Sequence, residues 1–274
     1  MNKIAFTTLA CPEWDIAKVV AAAVESRYDA IDFRGYLDCV ELPESPAFQG
    51  ASLRELAARV ADAGLEVSCL SSGARLSSPD EAGRAGMLEA VRRYADLCHA
   101  FGARQIRLFG GTAKGIADPV ANAAESLVKA AEIARDADVE IAVETHDDWT
   151  DSSKLLAVFE RAGWPEGTGF LWDVHHPYRR HGETPEASVA NMGRALLNTH
   201  WKDSQAKPDG GSTLCLCGEG DIPLREIARS LRASGYAGWL TFEWEKRWHP
   251  EIAGPEVAIP QFARFIRETW AAAE

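Results

Sequence analysis

The sequence predicts a closed (β/α)8 barrel, a TIM barrel, and three observations predict it. Short apolar runs alternate with longer segments of helical periodicity eight times along the chain. Alternation of that kind means parallel strands joined by right-handed crossovers. Eight such units in 274 residues fit one barrel domain over residues 1–274. The last four apolar runs end in acids or histidines, as buried strands do where they open into a polar mouth. The runner-up is an open doubly wound sheet. It is weakened because no G-x-G-x-x-G follows the first strand.

The first strand is expected over 4–9. A helix over 15–26 follows, with Ile16, Val19, Val20 and Ala23 at helical spacing. The second strand, 28–33, runs into Arg34 and Gly35, and a polar loop bearing prolines covers 36–50. Ser52 is expected to cap a helix that Gly64 stops. The third strand, 65–70, ends in Ser71-Ser-Gly73. A long helix over 79–101 stops at Gly102. The fourth strand, 105–109, leads to Gly110-Gly111, where bare backbone could approach a ligand. The next helix covers 119–135.

The fifth strand lies in Glu140-Ile-Ala-Val-Glu-Thr-His-Asp-Asp148, and a helix over 152–162 follows. The sixth is Gly169-Phe-Leu-Trp-Asp-Val-His-His176. A helix over 185–196 leads to the seventh, Leu196-Leu-Asn-Thr-His-Trp-Lys-Asp203. Residues 204–220 read as a long irregular loop rich in Gly and Ser. A helix over 223–233 precedes the eighth strand, Gly238-Trp-Leu-Thr-Phe-Glu243. A loop over 244–255 and a helix to about residue 270 close the chain.

Composition narrows the partners. Net charge is −12 and the pI near 5.1, with no Lys/Arg run able to neutralise a phosphate backbone. Nucleic acid and anionic membrane are therefore poor partners. No apolar run approaches the roughly 18 residues that span a bilayer. Residues 1–11 are apolar but too short for a signal peptide. The six cysteines follow no disulfide or zinc-knuckle spacing, and Cys215-x-Cys217 is too tight for a C-x-x-C pair. Reduced thiols and a cytoplasmic location are the expectation. Trp149 and Trp248, read as exposed near the mouth, would suit a homo-oligomer contact.

Strand side chains alternate, so Glu144 and His146 share a face, as do Thr241 and Glu243, and His200 and Lys202. Asp173 points inward while Trp172 and Trp201 point to the helices. Glu144, Asp173, His200 and Glu243 then converge at the carboxyl ends of strands five to eight, where barrels of this kind carry their sites. Three carboxylates and an imidazole would repel one another and lose hydration without a cation. One divalent ion per chain resolves that. An O/N set without thiolate favours Mn²⁺, Mg²⁺ or Co²⁺, with Zn²⁺ as a further candidate. Alone, each acid could equally cap a helix or pair with an arginine; the set of four makes the site. Alternation points His175 inward, but His176 can swing back over the mouth. His146, Lys202, Arg34 and Arg107 are candidate contacts to substrate oxygen, and Trp14 a candidate wall. Asp203 reads as a local partner of Lys202.

Glu144, Asp173-x-x-His176, His200-x-Lys202-Asp203, Gly218-Glu-Gly-Asp221 and Glu243 together resemble the xylose isomerase-like TIM-barrel superfamily, and within it the sugar phosphate isomerase/epimerase branch. The resemblance covers nearly the whole chain and is strongest from Glu140 onward. It implies that Glu144, Asp173, His200 and Glu243 bind one divalent metal. It further implies that Glu144 and Glu243 act as acid and base, and that His176 contacts substrate. The implied activity is isomerisation or epimerisation of a sugar or polyol ketone, with a dehydratase as the alternative and a non-catalytic sugar-binding barrel behind both. One departure is that many relatives carry Glu in the strand-two motif, where this chain has Asp32 and Arg34.

Overall fold

The computed structural model describes residues 2–273. Eight parallel strands close into a barrel: β1 (Ile4–Thr7), β2 (Ala30–Phe33), β3 (Glu66–Arg75), β4 (Gln105–Phe109), β5 (Glu140–Glu144), β6 (Thr168–Asp173), β7 (Leu196–Trp201) and β10 (Trp239–Phe242). Around the ring the order is β1-β10-β7-β6-β5-β4-β3-β2. The short strands β8 (Asp203–Ala206) and β9 (Ser212–Cys215) form a separate antiparallel hairpin. The expected (β/α)8 barrel is therefore the fold.

Helices α1 (Ile16–Glu25), α2 (Gly50–Asp62), α3 (Glu81–Phe101), α4 (Pro119–Asp136) and α5 (Ser152–Ala162) follow the first five strands. A short α6 (His176–His181) and then α7 (Pro185–Met192) follow β6. Helix α8 (Leu224–Ala233) precedes β10, and α9 (Pro255–Ala271) closes the chain. Local chemistry sets these boundaries. Asp15, Asp80, Asp118 and Asp151 each accept from backbone N–H groups of the first turn they precede. Gly102 and Gly163 end α3 and α5 in the left-handed conformation that glycine adopts freely.

Four expectations need correction. Ser52 is not the cap of α2, which already starts at Gly50 after Gln49. Strand β3 continues past Leu70 to Arg75, because its pairing with β4 resumes at Arg75↔Phe109 after a register shift. Helix α7 stops at Met192, since Gly193 adopts φ 47°, ψ −130°, and Leu196 already pairs with Phe170 as strand. Residues 204–220 are not irregular throughout. Pro208-Asp-Gly210 supplies a tight turn, with Gly210 at φ 85°, and lets β9 fold back on β8.

The barrel wall divides as alternation requires. Trp172, Trp201 and Phe242 are fully buried under the helices, and Phe242 stacks on Phe262 of α9 at 4.6 Å. Inside, polar groups begin at mid-barrel. Asn198 donates to Gln105 (3.3 Å) and accepts from Thr241 (3.0 Å). One residue pair further along the strands come Arg107 and His200.

Candidate active site

Register brings the strand-end side chains together. Asp173 pairs with His200, His200 with Thr241, and Phe109 with Glu144. His200 stands at the centre, with no exposed surface. Its Nδ1 lies 3.2 Å from Glu144 Oε1 and 3.2 Å from Glu243 Oε1. Its Nε2 lies 3.2 Å from Asp32 Oδ2. Burial alone would push the His200 pKa down; Glu243, Asp32 and Glu144 more than offset that and hold it well above the ordinary value.

Cations balance these acids. Arg107 donates to Glu144 and is likewise buried. It lies in the middle of β4, not at its end, because the strand runs on to Phe109, over which its guanidinium stacks at 3.7 Å. Burial raises the Glu144 pKa, but Arg107 and His200 bring it below the usual carboxylate range. Lys202 Nζ sits 2.7 Å from Asp173 Oδ2, 2.6 Å from Glu243 Oε2 and 2.5 Å from Glu245 Oε1. It holds the Glu243 pKa far down against the effect of burial. For Asp173 burial prevails, aided by Glu243 and Glu144, and its pKa rises. Lys202 and Arg107, expected as contacts to substrate oxygen, pair with these carboxylates and offset part of their charge.

A divalent ion nonetheless suits the donors. The ligating atoms of Glu144, His200 and Glu243 lie within 4.8 Å of one another and are buried. Asp32 on the far imidazole nitrogen is the kind of partner that orients a metal-binding histidine. Asp173 Oδ2 faces the Lys202 ammonium at 2.7 Å. Asp173 groups with His175 and His176 as a second candidate cluster.

His176 is the imidazole at the site. Its Nε2 is 3.4 Å from Asp173 Oδ2 and has no hydrogen-bond partner, whereas His175 Nε2 pairs with Ser204 Oγ at 2.9 Å. His146 packs between Phe109 (4.4 Å) and His176 (4.9 Å), and its Nδ1 lies 3.0 Å from Asp147 Oδ1. Asp147 holds the left-handed backbone, φ 52°, that presents this carboxylate. Arg34 stands at the edge of this group, 6.0 Å from the Phe109 ring, donating to the Val40 carbonyl at 3.2 Å and 3.8 Å from Glu41. Burial and the nearby Arg107 lower its pKa to about 10. Trp14 is buried in the apolar core, with the Lys18 ammonium 4.3 Å from its ring, and is not among these side chains.

Above the ring opens a cavity of 1260 Å³. His176, Lys202 and Glu245 form its floor, and the β8–β9 turn, with Lys207 and Gly210, one wall. Trp149, expected at the surface, is buried and lines this cavity, while Trp248 is exposed. A Cβ at Gly110 would overlap the Trp149 ring, so that glycine makes room for a side chain and not for a ligand. Asp203 is not a partner of Lys202. Its carboxylate accepts from the backbone N–H groups of Ser204, Gly218, Gly220 and Ile222. Asp32, Asp147 and Glu245 were missed as site residues. The one signal for Asp32 was an acid inside an apolar run.

The profile of a family described as xylose isomerase-like TIM barrel matches residues 20–269. Among solved structures, an L-ribulose 3-epimerase superposes with a TM-score of 0.80 at 21% identity, covering 100% of this chain and 96% of that one. The IOLI protein with a bound zinc atom gives 0.84 at 17%, covering 99% of each. A probable 3-DHS dehydratase of petrobactin synthesis from Bacillus anthracis gives 0.79 at 16%, covering 97% and 98%. At these identities the likeness is one of fold. No curated protein matches the sequence.

Proposed function

The chain belongs to the xylose isomerase-like TIM-barrel family, and we propose that it is a divalent-metal-dependent isomerase or epimerase of a sugar, sugar phosphate or related polyol ketone. One observation supports the reading most: two buried carboxylates, Glu144 and Glu243, converge on one nitrogen of His200, each 3.2 Å from its Nδ1. Glu144, Asp173, His200 and Glu243 would hold one ion, Mn²⁺, Mg²⁺ or Co²⁺ by preference and Zn²⁺ as a further candidate. The ion would supply Lewis-acid stabilisation of the charge that develops on substrate oxygen.

The chain's own groups account for the proton transfers. Arg107 and Lys202 keep Glu144 and Glu243 ionised at neutral pH, as proton acceptors must be. Glu243 removes the proton α to the substrate carbonyl. Glu144, once it has taken a proton from solvent, delivers it to the opposite face in an epimerase, or to the neighbouring carbon in an isomerase, and Glu243 releases its own to solvent. His176 and Lys202 both line the cavity, which supports contacts from them to substrate oxygens. The test is α-proton exchange in D₂O over a panel of ketoses, with and without chelator. Exchange that chelator abolishes supports the reading. An absence of exchange with every ketose, even after Mn²⁺ is added, overturns it.

His146 favours one second reading, the loss of water from a keto-polyol. Its pKa is raised: Asp147 and Glu144 outweigh burial, so the ring is suited to protonate a departing hydroxyl. Product mass separates the two, since isomerisation conserves mass and dehydration loses one water.

A further inference from the structure

Asp173 has two carboxylate oxygens, and they are not equivalent. Its Oδ1 already accepts the backbone N–H groups of His175 (2.8 Å) and His176 (3.1 Å). Only Oδ2 can turn toward an ion, and that atom faces Lys202 Nζ at 2.7 Å. Glu243 differs: its Oε1 looks to His200 while Lys202 takes Oε2. Lys202 thus obstructs one ligand and leaves the other open. Asp173 is also the one expected ligand outside the cluster of Glu144, His200 and Glu243.

Glu245 gives Lys202 somewhere to go. It lies three residues beyond β10, is partly exposed, and lines the same cavity as Lys202. Its Oε1 contacts Lys202 at 2.5 Å, and Oε2 lies 3.6 Å from His249 Nε2. An ammonium released from Asp173 keeps Glu243 Oε2 and Glu245 Oε1, so it is not stranded in the interior without a counter-charge.

We infer that Lys202 and Glu245 form a counter-ion relay: Lys202 holds Asp173 until a divalent cation arrives, and Glu245 retains the displaced ammonium while Asp173 Oδ2 turns to the cation. Glu245 is then a positioning residue that acts on the cation only through Lys202. The inference rests on the divalent-metal reading above.

The experiment is Mn²⁺ binding by isothermal titration calorimetry to the full chain, as wild type, Glu245→Gln, Lys202→Met and the double variant. Circular dichroism checks the fold, and Lys202→Gln replaces Lys202→Met if the latter does not fold. Glu245→Gln is expected to weaken binding about tenfold, and Lys202→Met to tighten it. In the Lys202→Met background, Glu245→Gln should change affinity by less than about twofold, because contacting residues couple. Plain charge loss would weaken binding equally in both backgrounds, and that result overturns the relay alone. So does weaker binding by Lys202→Met. A wild type that takes up neither Mn²⁺ nor Zn²⁺ overturns the metal reading, and the relay with it.

Discussion

Asp32 reaches His200 from the first half of the barrel, while the other acids around that imidazole come from the second. By accepting from Nε2 it leaves Nδ1 toward Glu144 and Glu243. Asp32→Asn keeps the shape but weakens that acceptor. It should weaken Mn²⁺ binding by roughly 10–100-fold with the fold intact, measured by calorimetry and circular dichroism. Glu243→Gln should abolish turnover while the thermal midpoint stays near that of the wild type; unchanged turnover would remove Glu243 from the chemistry. Arg107→Met strands a buried carboxylate, and we expect it to lose about 3–5 kcal/mol in denaturant unfolding. Glu144, His200 and Glu243 were legible in the sequence because each follows an apolar run whose alternation fixes its face. Asp32 was not, since its contact forms across the barrel, between strands far apart in the chain. Nor was the balancing role of Lys202, which depends on three carboxylates reaching one ammonium.

At the level of elements, carboxylate caps and glycine stops wrote several helix boundaries into the chain, and the strands of the second half were marked by their polar ends. The β8–β9 hairpin was harder to see. Its strands are short, and glycine and serine dominate the segment, so the Pro-Asp-Gly turn was its one local signal. The Gly110-Gly111 pair misled for a different reason: a glycine kept for packing reads the same as one kept for a ligand. Gly110→Ala should force Trp149 to move and destabilise the protein by about 1–3 kcal/mol. A thermal midpoint unchanged from the wild type would show that Trp149 has room to give.

The barrel as a whole gathers its buried charges at one end, so stability and ion binding should be linked. A cation at a hundred times its dissociation constant adds about 2.7 kcal/mol to the native state. For a chain this long that is a rise in thermal midpoint of roughly 5–10 °C on adding Mn²⁺, reversed by chelator. No shift would mean that the ring is held by Arg107 and Lys202 alone. The net charge of −12 says nothing of this interior, where lysine and arginine stand among the acids. Composition therefore spoke to nucleic acid and membrane as partners and was silent about the site. Among the described residues no helix is long and apolar enough to cross a membrane.

Asp203 fastens both ends of the hairpin segment, from Ser204 to Ile222, to a single carboxylate just past the strand that carries His200. The turn between the two paired strands lies clear of those anchors and can vary without loosening the knot. Descendants of this chain could therefore exchange the turn at Lys207–Gly211, and with it the molecules admitted, while inheriting the reactive end of the barrel unaltered. Laboratory diversification of selectivity would begin there.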